Sequence, residues 1–284
     1  EVRRRGMRLG KFSGVVCWFS GGRDSAVACA LAKRVAELRG WDFRLVHIYT
    51  RTPRPREVDE YVQEYAKWLG EELDIIMPER SFAEYAAQYG YWPALWSSDR
   101  RRSMRWCYFK LKRDAIIYFL RNEPKALNAL HVFAIRREES PFREREYRDV
   151  FGVKCYEDDV CIRYWLPLLH VDSPTLQKLV KAFGIPESPV WKKLGSSGEC
   201  MCLAGTTYKR MVRLAVHYPE VVEQLVAIDD IIQAGRRKGP SYPAPLIDMR
   251  LTLRQWWEQF KRQPRLDDYL DNYEGKGCQG SCIL

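Results

Sequence analysis

This sequence predicts an α/β fold: a parallel twisted sheet with helices on both faces, followed by a C-terminal helical region. Three observations lead there. A short apolar run, Val15-Val16-Cys17-Trp18, breaks on a glycine-rich turn and passes directly into a helical pattern. The strand-then-helix rhythm then repeats up to residue 135, which calls for right-handed crossovers and a parallel sheet. After Tyr164 the texture changes to a succession of helices, so the boundary between a sheet-bearing unit, 1–170, and a helical, cysteine-containing region, 171–284, is placed near residue 170.

Gly14 to Phe19 reads as a buried strand. In the following Ser20-Gly21-Gly22-Arg23-Asp24-Ser25 the two glycines permit positive φ and close backbone approach, so successive N–H groups can converge on phosphate oxygens at a helix start. Ser20 and Ser25 add hydroxyls, and Asp24 is placed to cap the helix or to meet a magnesium ion carried by a nucleotide. An ordinary turn and cap is the plainer reading of the same residues. Ala26, Val27, Ala30, Leu31, Val35 and Leu38 continue the helix until Gly40. Asp42 to Thr50 is a second strand, Glu57 to Leu69 a helix, and Leu73 to Met77 a third strand stopped by Pro78. Ser81 caps a helix through Gln88, Tyr89 to Ser103 is an aromatic and basic loop, Cys107 to Arg121 is helical, and Leu130 to Ile135 is another strand. Cys155 and Cys161 flank a β-turn between short strands. Beyond them Ser173 caps a helix through Phe183, Thr206 to His217 and Pro219 to Ala234 read as amphipathic helices, Gly235 to Pro245 is a basic linker, and a helix near Leu251 to Lys261 precedes a glycine-rich tail. In such a sheet ligands bind at the carboxyl ends of the strands, where the Ser20 to Ser25 turn lies.

With 284 residues, 46% of them hydrophobic, the chain can bury one large α/β domain plus an appendage. It contains no apolar run of about 18 residues and no visible signal peptide, so a soluble cytoplasmic protein without a membrane partner is expected. The arginines at positions 3, 4, 5 and 8 lack the apolar core of a secretory signal, and an opening Glu1 suggests that something was removed or added upstream. A net charge of +10 favours anionic partners. Arg100, Arg101, Arg102, Arg105, Lys110, Lys112 and Arg113 interleave with Trp92, Trp96, Trp106, Tyr108 and Phe109, a mixture suited to stacking bases or, on the plainer reading, a solvated face beside core aromatics. Nine cysteines in an intracellular chain argue for metal or redox chemistry over a disulfide framework. Cys17 and Cys29 are expected as buried thiols and Cys155 and Cys161 as structural thiols, leaving Cys107, Cys200, Cys202, Cys278 and Cys282.

The turn Ser20-Gly21-Gly22-Arg23-Asp24-Ser25 resembles the S-G-G-x-D-S loop of the adenine nucleotide alpha hydrolase superfamily, the PP-loop ATP pyrophosphatases with a Rossmann-like sheet. Further segments resemble its phosphoadenylyl sulfate (PAPS) reductase-like branch. Ala134-Ile135-Arg136-Arg137-Glu138-Glu139-Ser140 with Arg143 is similar to G-x-R-x-x-E-S-x-x-R, with Ala134 where glycine is usual; Arg136 and Arg143 can fork onto phosphate or sulfate. Trp106-Cys107 through Leu111-Lys112 is similar to W-C-x-x-x-L-K, which implies a phosphate-contacting Lys112. Gly198-Glu199-Cys200-Met201-Cys202 looks like a shortened form of the G-C-x-x-C segment of iron–sulfur adenylyl sulfate reductases. That likeness implies metal ligation by Cys107, Cys200 and Cys202, with a fourth ligand from Cys278 or Cys282, in a 4Fe-4S iron–sulfur cluster; zinc or free thiols are the alternatives.

Two enzymatic expectations share this site. In one, ATP with magnesium adenylates an acceptor such as RNA or DNA and sulfur replaces the adenylate; Asp24, Lys112 and Arg136 are the expected catalytic residues, and Ser20, Gly21, Gly22, Arg23, Asp24, Ser25, Arg136 and Arg143 the nucleotide-binding ones. In the other, adenylyl sulfate or PAPS is reduced to sulfite, although the tail lacks the E-C-G-[LI]-H ending of the reductases. A non-catalytic nucleic-acid-binding protein is the expectation from another class. A sulfur- or electron-donor protein is an expected partner, and a homodimer is left open.

Overall fold

The structure, a computed structural model, describes residues 12, 14–94, 104–235 and 241–262. Six strands form one sheet in the order β3-β2-β1-β4-β6-β5. β1 (Gly14–Trp18), β2 (Asp42–Ile48), β3 (Leu73–Ile76), β4 (Leu130–Val132) and β6 (Val160–Trp165) pair in parallel, and β5 (Phe151–Glu157) runs antiparallel to β6 as an edge hairpin. The central β1 is buried on both faces because its side chains alternate between two cores. Val15, Cys17 and Phe19 enter one, and Val16 and Trp18 the other.

The helices are α1 (Arg23–Arg39), α2 (Arg56–Leu69), α3 (Phe82–Tyr89), α4 (Trp106–Tyr108), α5 (Asp114–Asn122), α6 (Pro124–Leu127), α7 (Pro141–Glu146), α8 (Ser173–Phe183), α9 (Pro189–Leu194), α10 (Tyr208–His217), α11 (Pro219–Ala234) and α12 (Leu253–Lys261). α5 and α6 cover the Trp18 face, while α1, α2 and α3 cover the other together with the helices from α8 onward. Helix ends follow the sequence signals. Ser81 and Glu84 form a capping box at α3, and Gly40, Gly70 and Gly90 close α1, α2 and α3 in the left-handed conformation. Fully buried Asp229 ties the helical region together: it accepts hydrogen bonds from Trp92 Nε1 at 2.8 Å and from the Leu253 backbone N–H at 2.7 Å.

Several expectations are corrected. The helix expected from Cys107 to Arg121 is broken by a π-helical turn, Phe109–Arg113, between α4 and α5. Asp172, not Ser173, caps α8, because its carboxylate accepts from the Thr175 backbone N–H. Four of the cysteines expected as thiols are paired, Cys17 with Cys29 and Cys155 with Cys161. The first pair joins β1 to the helix packed on it, their Cα atoms 5.6 Å apart; the second joins direct cross-strand partners of the edge hairpin. Arg100, Arg101, Arg102, Trp96, Cys278 and Cys282, with the N-terminal arginines, lie outside the described residues.

Candidate functional site

Backbone conformation comes first at the turn after β1. Gly21 has φ +70°, and a Cβ there would also stand 3.3 Å from Val62, so this position suits glycine twice over. Gly22, expected to share that freedom, instead has φ −91° and is the N-cap of α1, which moves Asp24 inside the helix and out of the capping position. Ser25 closes the turn. Its Oγ accepts from the Ser20 N–H at 3.2 Å, lies 3.1 Å from Ser20 Oγ, and donates to the Gly22 carbonyl at 2.9 Å. The result is a rigid concave turn at the amino end of a 17-residue helix, where backbone N–H groups and the helix dipole favour an anion.

On one side of the turn, Arg136 Nε donates to Asp24 Oδ2 at 2.6 Å, and its Nη1 bonds Glu138, Ser173 Oγ and the Val171 carbonyl. Arg143 is held by Glu139, and Ser140 Oγ accepts from the Arg143 N–H at 3.2 Å. The two arginines expected to grip phosphate are thus both buried and oriented by carboxylates. An open cleft of about 420 Å³ adjoins them, walled by Arg137, Glu138, Ser140, His170 and Asp172.

A loop crosses the other side. Gly198, at φ +70°, is wedged against Val190 and Val58, and Ser197 stands over Gly22, with its Cβ 3.6 Å from where a Gly22 Cβ would lie. The chain then dives inward to Glu199, whose Oε2 accepts from Lys112 Nζ at 3.1 Å and whose carbonyl accepts from Thr50 and Thr52 hydroxyls. Burial by itself would raise the Glu199 carboxyl, but Lys112, His47 and Arg54 together hold it below the ordinary carboxylate range. His47 is neutral: burial lowers its pKa, and its Nδ1 donates to the Phe19 carbonyl at 2.8 Å, directly before the turn. Cys107 and Cys202 are buried with their sulfurs 3.5 Å apart, and Cys200 hydrogen-bonds Cys202. That bond, followed by burial, pushes the Cys200 thiol well up.

The structure therefore gathers Cys107, Cys200, Cys202 and Lys112 behind the phosphate turn, and Asp24, Arg136 and Arg143 beside it. Glu199, His47 and Ser197 were not singled out as site residues in the sequence; Glu199 lay unremarked in the C-x-C segment, and its only signal was a carboxylate set among apolar and cysteine positions. Soft, buried thiols suit a thiophilic metal centre in donor type. As they stand, no group of three or more His, Cys, Asp or Glu side chains among the described residues forms a metal cage. They supply part of a ligand set.

No curated protein matches this sequence. Among solved structures, a phosphoadenylyl-sulfate (PAPS) reductase from Candida auris in a phosphate complex is similar at 16% identity and a TM-score of 0.45, over 65% of this chain and 80% of that one. An NMN synthetase from Francisella tularensis is similar at 16% identity and a TM-score of 0.42, over 88% and 86% of the two chains. The family model for the phosphoadenosine phosphosulfate reductase domain matches residues 14–209, from the first strand through the phosphate turn, the arginine loop and the C-x-C segment. With more than half of its length so matched, the chain belongs to the phosphoadenosine phosphosulfate reductase domain family, the PAPS reductase-like branch of the PP-loop adenine nucleotide alpha hydrolases.

Proposed function

We propose that the chain is an ATP-dependent sulfurtransferase that adenylates a nucleic-acid acceptor and replaces the activated oxygen by sulfur. One observation carries this reading: a single loop rests on the phosphate turn at Ser197 and, three and five residues later, delivers Cys200 and Cys202 to Cys107 beside Lys112. Nucleotide and thiol chemistry then share one wall. An acceptor carbonyl oxygen attacks the α-phosphorus of ATP, the bond to the bridging oxygen breaks, and pyrophosphate leaves with the electron pair. A sulfur nucleophile from a donor protein next forms a carbon–sulfur bond, and AMP leaves with the oxygen. Ser20, Gly21, Gly22, Arg23 and Ser25 hold the departing pyrophosphate, Lys112 and Arg136 stabilise developing negative charge, Asp24 is the carboxylate for the nucleotide's magnesium, and Arg143 orders the adjoining loop. Glu199 orients Lys112. Residues 1–170 are the nucleotide-binding unit and 171–284 the region that closes over it. Cys107, Cys200, Cys202 and, from the tail, Cys278 would hold a 4Fe-4S iron–sulfur cluster, which would supply a sulfur- or electron-carrying centre.

Incubating ATP, magnesium and RNA with anaerobically purified protein tests this: pyrophosphate and AMP released only when RNA is present supports it, and release independent of RNA, or none, overturns it. Brown protein absorbing near 400 nm, roughly as thiolate clusters do, supports the cluster; colourless protein with stoichiometric zinc overturns it. The family description favours a second reading, reduction of adenylyl sulfate or PAPS to sulfite. Sulfite formed from either sulfonucleotide and lost in Cys278→Ser or Cys282→Ser would select it.

A further inference from the structure

Beside the phosphate turn, α2, α8 and α9 enclose a cavity of about 210 Å³ that the chemistry above does not use. Its walls are mostly apolar, from Ile185, Val180 and Pro186, and one end is closed by Trp191. Ser188 caps α9 by accepting from the Trp191 N–H, which fixes where that indole stands. Over the ring, 4.3 Å from its centroid, lies the guanidinium of Arg23, the variable residue of the phosphate turn. Arg23 Nε is buried and has no acceptor within the protein. At the mouth stand Gln177 and the exposed Lys181, with exposed Lys178 one residue from Gln177 on the same helix.

These features define a ligand by its chemistry. Apolar walls reject a bare phosphate, and a cavity of this size is smaller than the usual site for a whole drug-sized molecule, so it has room for one ring system. A stacked aromatic–guanidinium plane, a buried N–H seeking an acceptor and an amide at the rim suit a planar heteroaromatic ring with polar edges. Lysines outside suit the phosphates that would follow it. We propose that this cavity receives one unstacked base of a single-stranded nucleic acid, seated against the Arg23–Trp191 pair. Arg23 is next to Gly22 in the chain, so the base would lie alongside the bound nucleotide. The assignment deepens the reading of a nucleic-acid acceptor and rests on it.

Anisotropy of a fluorescently labelled, mixed-sequence single-stranded RNA, titrated with the full chain at low salt, tests it when run beside calorimetric ATP titrations. Trp191→Leu should weaken RNA binding about five- to a hundred-fold, the loss expected for one stacked base, with ATP affinity unchanged. Trp191→Phe should restore most of that affinity, and the Lys178→Ala, Lys181→Ala double variant should flatten the salt dependence. RNA affinity within two-fold of the parent in Trp191→Leu overturns the proposal, as does failure of the parent to bind RNA. The two readings separate cleanly: RNA-stimulated pyrophosphate release that survives Trp191→Leu removes the cavity and keeps the sulfurtransferase, whereas Trp191-dependent RNA binding with no pyrophosphate release does the reverse.

Discussion

His131 shows how one residue couples burial to pH. Its Nδ1 accepts from Trp18 Nε1 at 3.0 Å and its Nε2 donates to the Ala126 carbonyl at 2.9 Å, so the neutral ring is fully satisfied and a second proton would break the tryptophan bond. Burial pushes its pKa down to about 4. Because the folded value lies below the unfolded one of roughly 6.5, the unfolded chain takes up the proton first; the stabilisation is complete above about pH 6.5 and is lost as pH falls toward 4, about 3 kcal/mol in all. Urea midpoints measured across that window should fall in the parent, and this component of the slope should vanish in His131→Asn; an unchanged slope would refute the assignment. Gly198 is a second single-residue test. An alanine there would combine a φ of +70° with a Cβ 2.5 Å from Val190 Cγ1, so Gly198→Ala should cost about 2–4 kcal/mol in denaturant unfolding. Glycines 21 and 22 were legible from the turn motif. Glu199 was not, because a buried carboxylate is recognisable only once Lys112, His47 and Arg54 have been brought around it.

At the scale of elements, β1, its turn and α1 form one covalently closed unit. The Cys17–Cys29 disulfide spans 12 residues of sequence that include the whole phosphate turn, and both cysteines are fully buried. Closing a loop of that length lowers the entropy of the unfolded chain and should stabilise the fold by about 3 kcal/mol. In a Cys155→Ser, Cys161→Ser background, which removes the exposed hairpin bridge, equilibrium unfolding with and without a dithiol reductant should differ by about that amount; coincident curves would show that the buried pair is not bonded. The sequence signals that proved readable here were local ones: strand alternation, glycine stops and the Ser81 capping box. The disulfides and the π turn were missed because each depends on a neighbour across the crossover or hairpin, or on packing that shifts one helical turn.

Across the whole molecule, the sheet and the helices beyond residue 170 share a core on the α1 face, so occupancy of the phosphate turn should be felt by the entire fold. Mg–ATP at about 100 times its dissociation constant should stabilise the protein by about 2.7 kcal/mol and raise the melting temperature by roughly 5 °C. No shift under saturating nucleotide would defeat the nucleotide-site assignment. The parallel sheet, the turn at its carboxyl edge and the arginine loop could all be read from the chain, since hydrophobic period and turn chemistry act over a few residues and this motif carries its own backbone geometry. Where the thiols lie relative to the nucleotide, which carboxylates hold Lys112 and Arg136, and whether a tryptophan-lined cavity flanks the turn depended on tertiary structure alone. Those relations join segments about 90 to 170 residues apart, and only the packing of α8 and α9 and the loop that follows them against the sheet brings them within a hydrogen bond's reach.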